Sequence, residues 1–239
     1  MTFRELYKSA MHLISVPKCV ACNDRLEYPT FTFCPKCSCE YEENKSRNCS
    51  LCAKPLYECS CSNDYLRAHF VKRLYKVFRY KQRKENLAAN SLIYSLKKDN
   101  RSDVLEFCAN ELFASVRHDS LPNDLIITNV PRRRGAIIKY GIDHSNLLAR
   151  ALAKRLDATY IPILASKSKR EQKTLRGEDR VKNTNFYLRR EPDLSGKTVI
   201  IVDDIVTTGS SMATSGMLVH SLGAKNIYGA SLAIAYKEG

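Results

Sequence analysis

The sequence predicts an α/β protein built on a mostly parallel sheet, preceded by a small cysteine-rich module. Three observations carry this. From about residue 66 onward, short aliphatic runs alternate with segments of helical period, the pattern of βαβ units. Nine of the ten cysteines fall between residues 19 and 61, in a stretch with few large apolar side chains. The run Val199 to Val202 is aliphatic at every position, as in a strand covered on both faces by helices.

Taken in order, residues 68–80 (AHFVKRLYKVFRY) read as a strand, or as a short helix followed by a strand. Residues 84–97 and 102–117 read as helices. The first has Leu87, Leu92, Ile93 and Leu96 on its apolar face, the second Val104, Leu105, Cys108, Leu112 and Phe113. Cys108, inside that helical pattern, reads as a small buried apolar residue. Leu125 to Val130 has strand length. A helix over 143–156 turns Leu147, Leu148, Ala151 and Leu152 inward, with Asp143 or Ser145 as its N-cap. Ile161, Ile163 and Leu164 mark another strand and Val199 to Val202 the next. A helix over about 210–222, ended by Gly223, and a last strand over 226–234 complete the order. In such sheets a ligand sits beyond the carboxyl ends of the strands, which is where Asp203 and the residues after it fall.

The chain has 239 residues, 44% hydrophobic and 27% charged, the composition of a soluble globular protein. Its formal net charge of +14 favours polyanionic partners: nucleic acid, phosphorylated metabolites or an anionic membrane surface. No apolar run approaches the roughly 18–20 residues of a membrane span, so no integral membrane segment is expected. The start lacks the features of a secretory signal, and the expected location is the cytoplasm. Phe3, Leu6, Tyr7, Ala10 and Ile14 form a helical stripe. An N-terminal helix over 1–16 is therefore expected, ahead of the cysteine module over 17–65 and the α/β domain over 66–239.

The cysteines come in close pairs: Cys19 with Cys22, Cys34 with Cys37, Cys49 with Cys52, and Cys59 with Cys61. In a reducing compartment such pairs are metal ligands rather than disulfides. A C-x-x-C turn puts two thiolates within reach of one tetrahedral ion, and two such turns close a four-sulfur shell, the donor set of a structural zinc site. The sequential partition assigns Cys19, Cys22, Cys34 and Cys37 to one site and Cys49, Cys52, Cys59 and Cys61 to the other. Cys39 stands close enough to Cys37 to replace it. Two such zinc sites, each of about −2, bring the charge to about +10. The segment has too little core of its own, so the metal is expected to supply most of its folding free energy.

After the strand at Val199 come two carboxylates, Asp203 and Asp204, and then Thr207, Thr208, Gly209, Ser210 and Ser211 at the start of a helix. Free N–H groups, the positive helix end and short hydroxyls make an anion site, and Gly209 allows close backbone approach. No Lys follows Gly209 and the spacing is not that of a Walker loop. Carboxylates accept from the vicinal hydroxyls of a ribose, so a sugar phosphate satisfies both halves.

This stretch resembles the phosphoribosyl-pyrophosphate (PRPP) motif of type I phosphoribosyltransferases. With the cysteine module, "VPRRRGAIIKYGIDHSNLLARALA" (130–153) and "KREQKTLRGEDRVKNTNF" (169–186), nearly the whole chain resembles the ComF family of competence-associated proteins. The resemblance implies a type I phosphoribosyltransferase-like fold behind a double zinc ribbon. It implies that Asp203 and Asp204 contact the ribose, that Thr207 to Ser211 hold the 5′-phosphate, and that Pro131, Arg132 and Arg133 form the pyrophosphate loop, with PRPP carrying Mg²⁺. Lys167 to Arg180 would close over the substrate, Gln172 and Arg176 matching the family pattern. Where the family reads Arg-Gly-Phe-Asn-Gln-Ser, this chain has Tyr140, Gly141, Ile142, Asp143, His144 and Ser145. The role implied is in DNA uptake during natural transformation, with single-stranded DNA and other proteins of the competence machinery as partners. The competing readings are an active phosphoribosyltransferase of unknown acceptor and a non-catalytic single-stranded DNA-binding protein. For the latter, Tyr28, Phe31, Phe33, Tyr41 and Tyr57 offer stacking surfaces. No glutaminase segment precedes the α/β domain and residue 2 is Thr, which sets aside an amidotransferase.

Overall fold

The computed structural model describes residues 17–27, 32–80, 88–98, 101–132, 137, 141–166 and 186–235. The expected helix over 1–16, Arg133, and the segment carrying Gln172 and Arg176 lie outside the described residues, as do Tyr28 and Phe31.

The cysteine module contributes α1 (Pro35–Lys45), a short 3-10 turn (Leu56–Glu58) and α2 (Asp64–Ala68), the last lying across the expected junction at 65–66. Then follow β1 (Val71–Tyr80), α3 (Ala88–Lys98), α4 (Ser102–Val116), β2 (Ile126–Asn129) and α5 (His144–Arg155). After β3 (Thr159–Tyr160), β4 (Leu164–Ser166) and β5 (Phe186–Leu188) come β6 (Thr198–Val206), α6 (Ser210–His220) and β7 (Asn226–Ala235). Five strands make one sheet in the order β1-β7-β6-β2-β3, and each neighbouring pair in it is parallel. β4 and β5 form a separate antiparallel pair. This is the α/β architecture with a parallel sheet that the sequence predicts.

Three elements differ from expectation. The strand expected at Ile161 to Leu164 is two: β3 ends before Ile161, Pro162 interrupts, and Leu164 starts β4 in the other sheet. Proline cannot donate to a ladder, so the chain changes sheets there. On α5 the inward stripe is Leu148, Ala149, Leu152 and Ala153 rather than one holding Leu147 and Ala151. The small alanines let the helix lie close to the sheet. Most relevant to the site, β6 does not stop at Val202: it continues through both aspartates, pairing with β7 as far as Val206 with Ile234.

The sheet is covered on both faces. One face packs against α3, α4 and α5, where Phe78, Leu92, Leu112, Ile127, Leu148 and Ile200 are fully buried, as is Cys108. The other carries α2, α6 and the β4–β5 pair over Leu66, Leu74, Ile163, Ile201 and Met212. The cysteine module shares the first core: Cys19, Leu26, Phe33, Cys37 and Tyr41 belong to it. Phe33 and Tyr41 meet Phe107 edge-on at 5.6 and 5.5 Å, and Tyr41 Oη donates to Glu111 Oε2 at 2.9 Å. The module also covers the free edge of β1. Leu74 N donates to Ser60 O, Cys61 bridges Arg73, and the buried Asn44 amide both accepts from Arg79 N and donates to Arg79 O. Helix α6 approaches α2 so closely that a Cβ on Gly216 would stand 2.6 Å from His69 O. Glycine at that point lets the middle of α6 pack directly on the chain between α2 and β1. No helix among the described residues is long and apolar enough to cross a membrane.

Candidate functional site

Each cysteine tetrad is assembled as the sequence partition has it. The sulfurs of Cys19, Cys22, Cys34 and Cys37 lie within 4.8 Å of one another, and so do those of Cys49, Cys52, Cys59 and Cys61. Cys22 and Cys34 are 3.6 Å apart and Cys52 and Cys59 3.5 Å, near the tetrahedral edge of about 3.8 Å that Zn–S bonds of about 2.3 Å produce. Cys39 is exposed and belongs to neither set. The two leading turns repeat one another. Lys18 bridges Arg25 as Asn48 bridges Pro55, and Asn23 and Ala53, each following the second cysteine, have positive φ. That turn aims backbone N–H groups at sulfur: Leu51 N lies 3.5 Å from Cys49 Sγ. Burial raises the Cys19 thiol, but the N–H groups of Cys22, Cys34 and Ala21 hold it at about 7. Cys49 is held at about 7 in the same way, by Leu51 and Cys52 against burial, while burial pushes Cys59 up to about 12. One thiol in each tetrad is thus held well below the usual thiol range. Lys76, 3% exposed on β1, donates from Nζ to Cys61 O at 2.8 Å, placing a buried cation beside the second tetrad. Four thiolates around one closed position fit a structural zinc ion in each case.

The second constellation lies at the carboxyl ends of β6 and β2. The parallel register sets Asn129 against Val202, and Val130 N donates to Val202 O at 2.9 Å. Pro131 and Arg132 therefore leave β2 beside the acids of β6. Asp203 Oδ1 accepts from Ser145 Oγ at 3.0 Å and from Asp204 N at 2.9 Å. Asp204 Oδ1 accepts from Ile205 N at 2.7 Å, and its Oδ2 pairs with Lys97 Nζ at 3.0 Å. Burial, followed by the neighbouring Asp204 carboxylate, pushes Asp203 up to about 8. Without a ligand the first acid is thus protonated near neutrality, and the second is held by the lysine at the end of α3.

Beyond the acids, Thr207 to Ser211 turn into α6. Gly209 takes φ +82°, and no side chain caps the helix. Thr208 Oγ1 and Ser210 Oγ lie 3.0 Å apart. These residues and Asp203 line a small cleft of about 40 Å³, on the scale of a phosphoryl group and too small for a nucleotide. A Cβ on Gly209 would meet Leu66 at 3.2 Å and Tyr65 at 3.7 Å, so α2 of the cysteine module forms the wall behind the loop. Toward β2 and β5 lies a larger polar cavity of about 300 Å³, lined by Asn129, Pro131, Arg132, Asp143, Tyr187 and Arg189 among others. That is the lower end of the range of small-molecule sites. Asp143 caps α5 by accepting from Asn146 N at 3.2 Å. Burial raises its carboxyl against the N–H groups of Asn146 and Arg132.

The described residues thus bring together Asp203, Asp204, Thr207 to Ser211, Pro131 and Arg132; Arg133, Gln172 and Arg176 lie outside them. Sequence reasoning did not single out Lys97, Ser145 as a partner of Asp203, or Arg189. Lys97 ends a helix remote in sequence, and its salt bridge depends on how that helix lies across the sheet.

Residues 143–237 match the family described as the phosphoribosyl transferase domain. The chain is 28% identical over 144 residues to the DNA utilization protein YhgH of Shigella flexneri, covering 57% of this chain and 63% of that one. It is 30% identical over 142 residues, with the same coverage, to the protein of that name from Salmonella typhi. A ribose-phosphate pyrophosphokinase of Thermococcus kodakarensis is 45% identical over 47 residues, 20% of this chain and 17% of its own. The chain thus spans less than two thirds of the relatives it matches. Among solved structures, a purine phosphoribosyltransferase from Pyrococcus horikoshii covers 54% of this chain and 72% of its own at a TM-score of 0.38 and 23% identity. The resemblance to the ComF family is borne out in its two parts, the phosphoribosyl transferase domain and the paired tetrads.

The state of Asp203 has a measurable consequence. The unfolded chain releases this proton near 3.8 and the folded protein near 8. Between those values the folded state holds the extra proton, so this contribution to stability is full below the lower value and is lost as pH rises through the upper. Asp203→Asn keeps an oxygen for Ser145 and Asp204 N and cannot ionise. Thermal melts of ligand-free protein should show it close to wild type below pH 4 and more stable by a margin that grows up to pH 8; a margin that does not grow with pH would contradict the assignment.

Proposed function

We propose that this is a ComF-like protein of DNA uptake in natural transformation, whose phosphoribosyl transferase domain binds PRPP and whose tetrads each hold a structural zinc ion. The observation that carries the ligand reading is the position of the acids. Asp203 lines a phosphate-sized cleft at a helix amino end, and the neighbouring strand β2 leads into a larger cavity carrying Arg132 and Arg189. A ligand with a phosphate at one end, vicinal hydroxyls in the middle and a diphosphate at the other suits all three. The hydroxyls donate to carboxylates, and guanidinium groups bind phosphate oxygens with charge-assisted bonds. Mg²⁺ carried with the diphosphate would supply charge neutralisation on the leaving side.

The acids also suit transfer. As the bond from the anomeric carbon to the diphosphate oxygen breaks, the electron pair leaves with the diphosphate. Positive charge then grows on the ribose, and ionised Asp203 and Asp204 would stabilise it while an acceptor's lone pair forms the new bond. Loss of the Asp203 proton on binding is part of this reading. The DNA role is supported by the name of the relatives and by the net charge of +14; a cytoplasmic location belongs to the same proposal.

Four measurements test the proposal. Titration calorimetry should detect Mg²⁺–PRPP binding that Asp203→Ala/Asp204→Ala abolishes, and the double variant should fail to restore transformation in a competent host lacking the protein. Absence of wild-type binding would sink the ligand reading, and full transformation by the double variant would make the site dispensable. Metal analysis of purified protein should return two zinc ions per chain, one after Cys22→Ser or Cys52→Ser. If single-stranded DNA is a partner, its affinity should fall steeply with salt; a salt-insensitive or undetectable interaction would remove that role.

A further inference from the structure

The amino end of α5 touches both arms of the site. Ser145 holds Asp203, as described. One residue earlier, His144 Nδ1 lies 2.6 Å from Arg132 Nη1, which also donates to Ile142 O at 3.0 Å. A guanidinium can only donate, so Nδ1 is the acceptor and the imidazole proton sits on Nε2. His144 is 1% exposed, and its Nε2 is buried without a hydrogen-bond partner.

That arrangement is not what packing alone would select. A leucine or methionine would fill a similar space without leaving a buried N–H unpaired, which is a costly state. What only the imidazole supplies is an acceptor turned toward the Arg132 guanidinium. The charged groups that act on the ring come from three other elements: Arg132 from the loop after β2, Asp204 from β6 and Lys97 from α3. On its own helix, Asp143 is its neighbour. Burial, then Arg132, hold His144 below the ordinary histidine value, while Asp204 opposes them. The ring is therefore neutral at pH 7 and able to accept.

We propose that His144 is a positioning residue of this site: its Nδ1 holds Arg132 at the edge of the larger cavity, and the shared α5 amino end fixes that arm relative to Asp203. The proposal rests on the PRPP reading and adds to it a division of labour. Ser145 serves the ribose side, and His144 serves the diphosphate side. Protonation of His144 removes the acceptor and places a second cation against Arg132, so the diphosphate arm, and not the 5′-phosphate cleft, is the part that weakens in acid.

The test compares Mg²⁺–PRPP with ribose 5-phosphate, which lacks the diphosphate, on the full chain by calorimetry. His144→Ala should weaken PRPP by about tenfold, the scale of one charge-assisted contact, and leave ribose 5-phosphate within about twofold. His144→Gln, which keeps one acceptor and one donor, should stay within about threefold of wild type for PRPP. As pH falls from 7 through the lowered His144 value, the wild-type preference for PRPP over ribose 5-phosphate should shrink more than that of His144→Gln, in which protonation of the ligand is the same; identical pH profiles would overturn the proposal. Equal losses for both ligands in His144→Ala, or no loss for PRPP, would overturn the proposal while leaving the PRPP reading intact. A wild-type protein that binds neither ligand would overturn both. If His144→Ala does not fold, the pH comparison between wild type and His144→Gln decides.

Discussion

The parallel register of β2 against β6 is the constraint on which the site depends. Adjacent strands running in one direction release their carboxyl ends side by side, about 5 Å apart in the hydrogen-bonding direction. The two acids, the Thr207 to Ser211 turn, Pro131 and Arg132 are all reached from those two exits. One leads through Pro131 and Arg132, the other through the aspartates to the turn before α6. An antiparallel neighbour would have put one exit at the far end of the sheet. Helix α5, packed across β2 and β6, then has its amino end where the two meet, and consecutive side chains reach one arm each.

Two adjacent carboxylates inside a strand make an uncomfortable ground state. The protein handles them differently. Asp204 has a lysine, brought from a helix on one face of the sheet. Asp203 has a hydroxyl and a backbone N–H but no cation among its hydrogen-bond partners, and it keeps its proton to about 8. The free site is thus short of one positive charge or one set of hydroxyl donors, and a ribose would bring such donors. Sites commonly hold this sort of unresolved electrostatics in reserve for their ligand.

Much of this was legible in the sequence. The alternation of aliphatic runs with helical periods gave the layer order, the spacing of cysteine pairs gave the tetrads, and Thr207 to Ser211 announced a helix amino end. What was not legible depends on distance along the chain. Nothing about Lys97 marks it as the partner of an acid more than a hundred residues later. Ser145 could be read only as a candidate cap, and the cap proved to be Asp143. The continuation of β6 through both aspartates was hidden for a different reason. Charged residues look like the end of a buried strand, and here the ladder to β7 carries them past the end of β2.

The cysteine module is tied into the domain at β1. That strand is ten residues long, mixes large apolar and basic side chains, and has β7 on one side only. Its other side meets the module: the carbonyl of Ser60, the bridge at Cys61 and the amide of Asn44 each satisfy part of the edge. An unprotected edge of that length is a template for pairing with another chain. The tetrads that shape the module therefore also guard against self-association. A copy whose thiols had been oxidised or stripped would lose solubility through an open sheet edge, beginning next to Val206 and Thr207, which share a cleft with Cys49, Cys61 and Leu74.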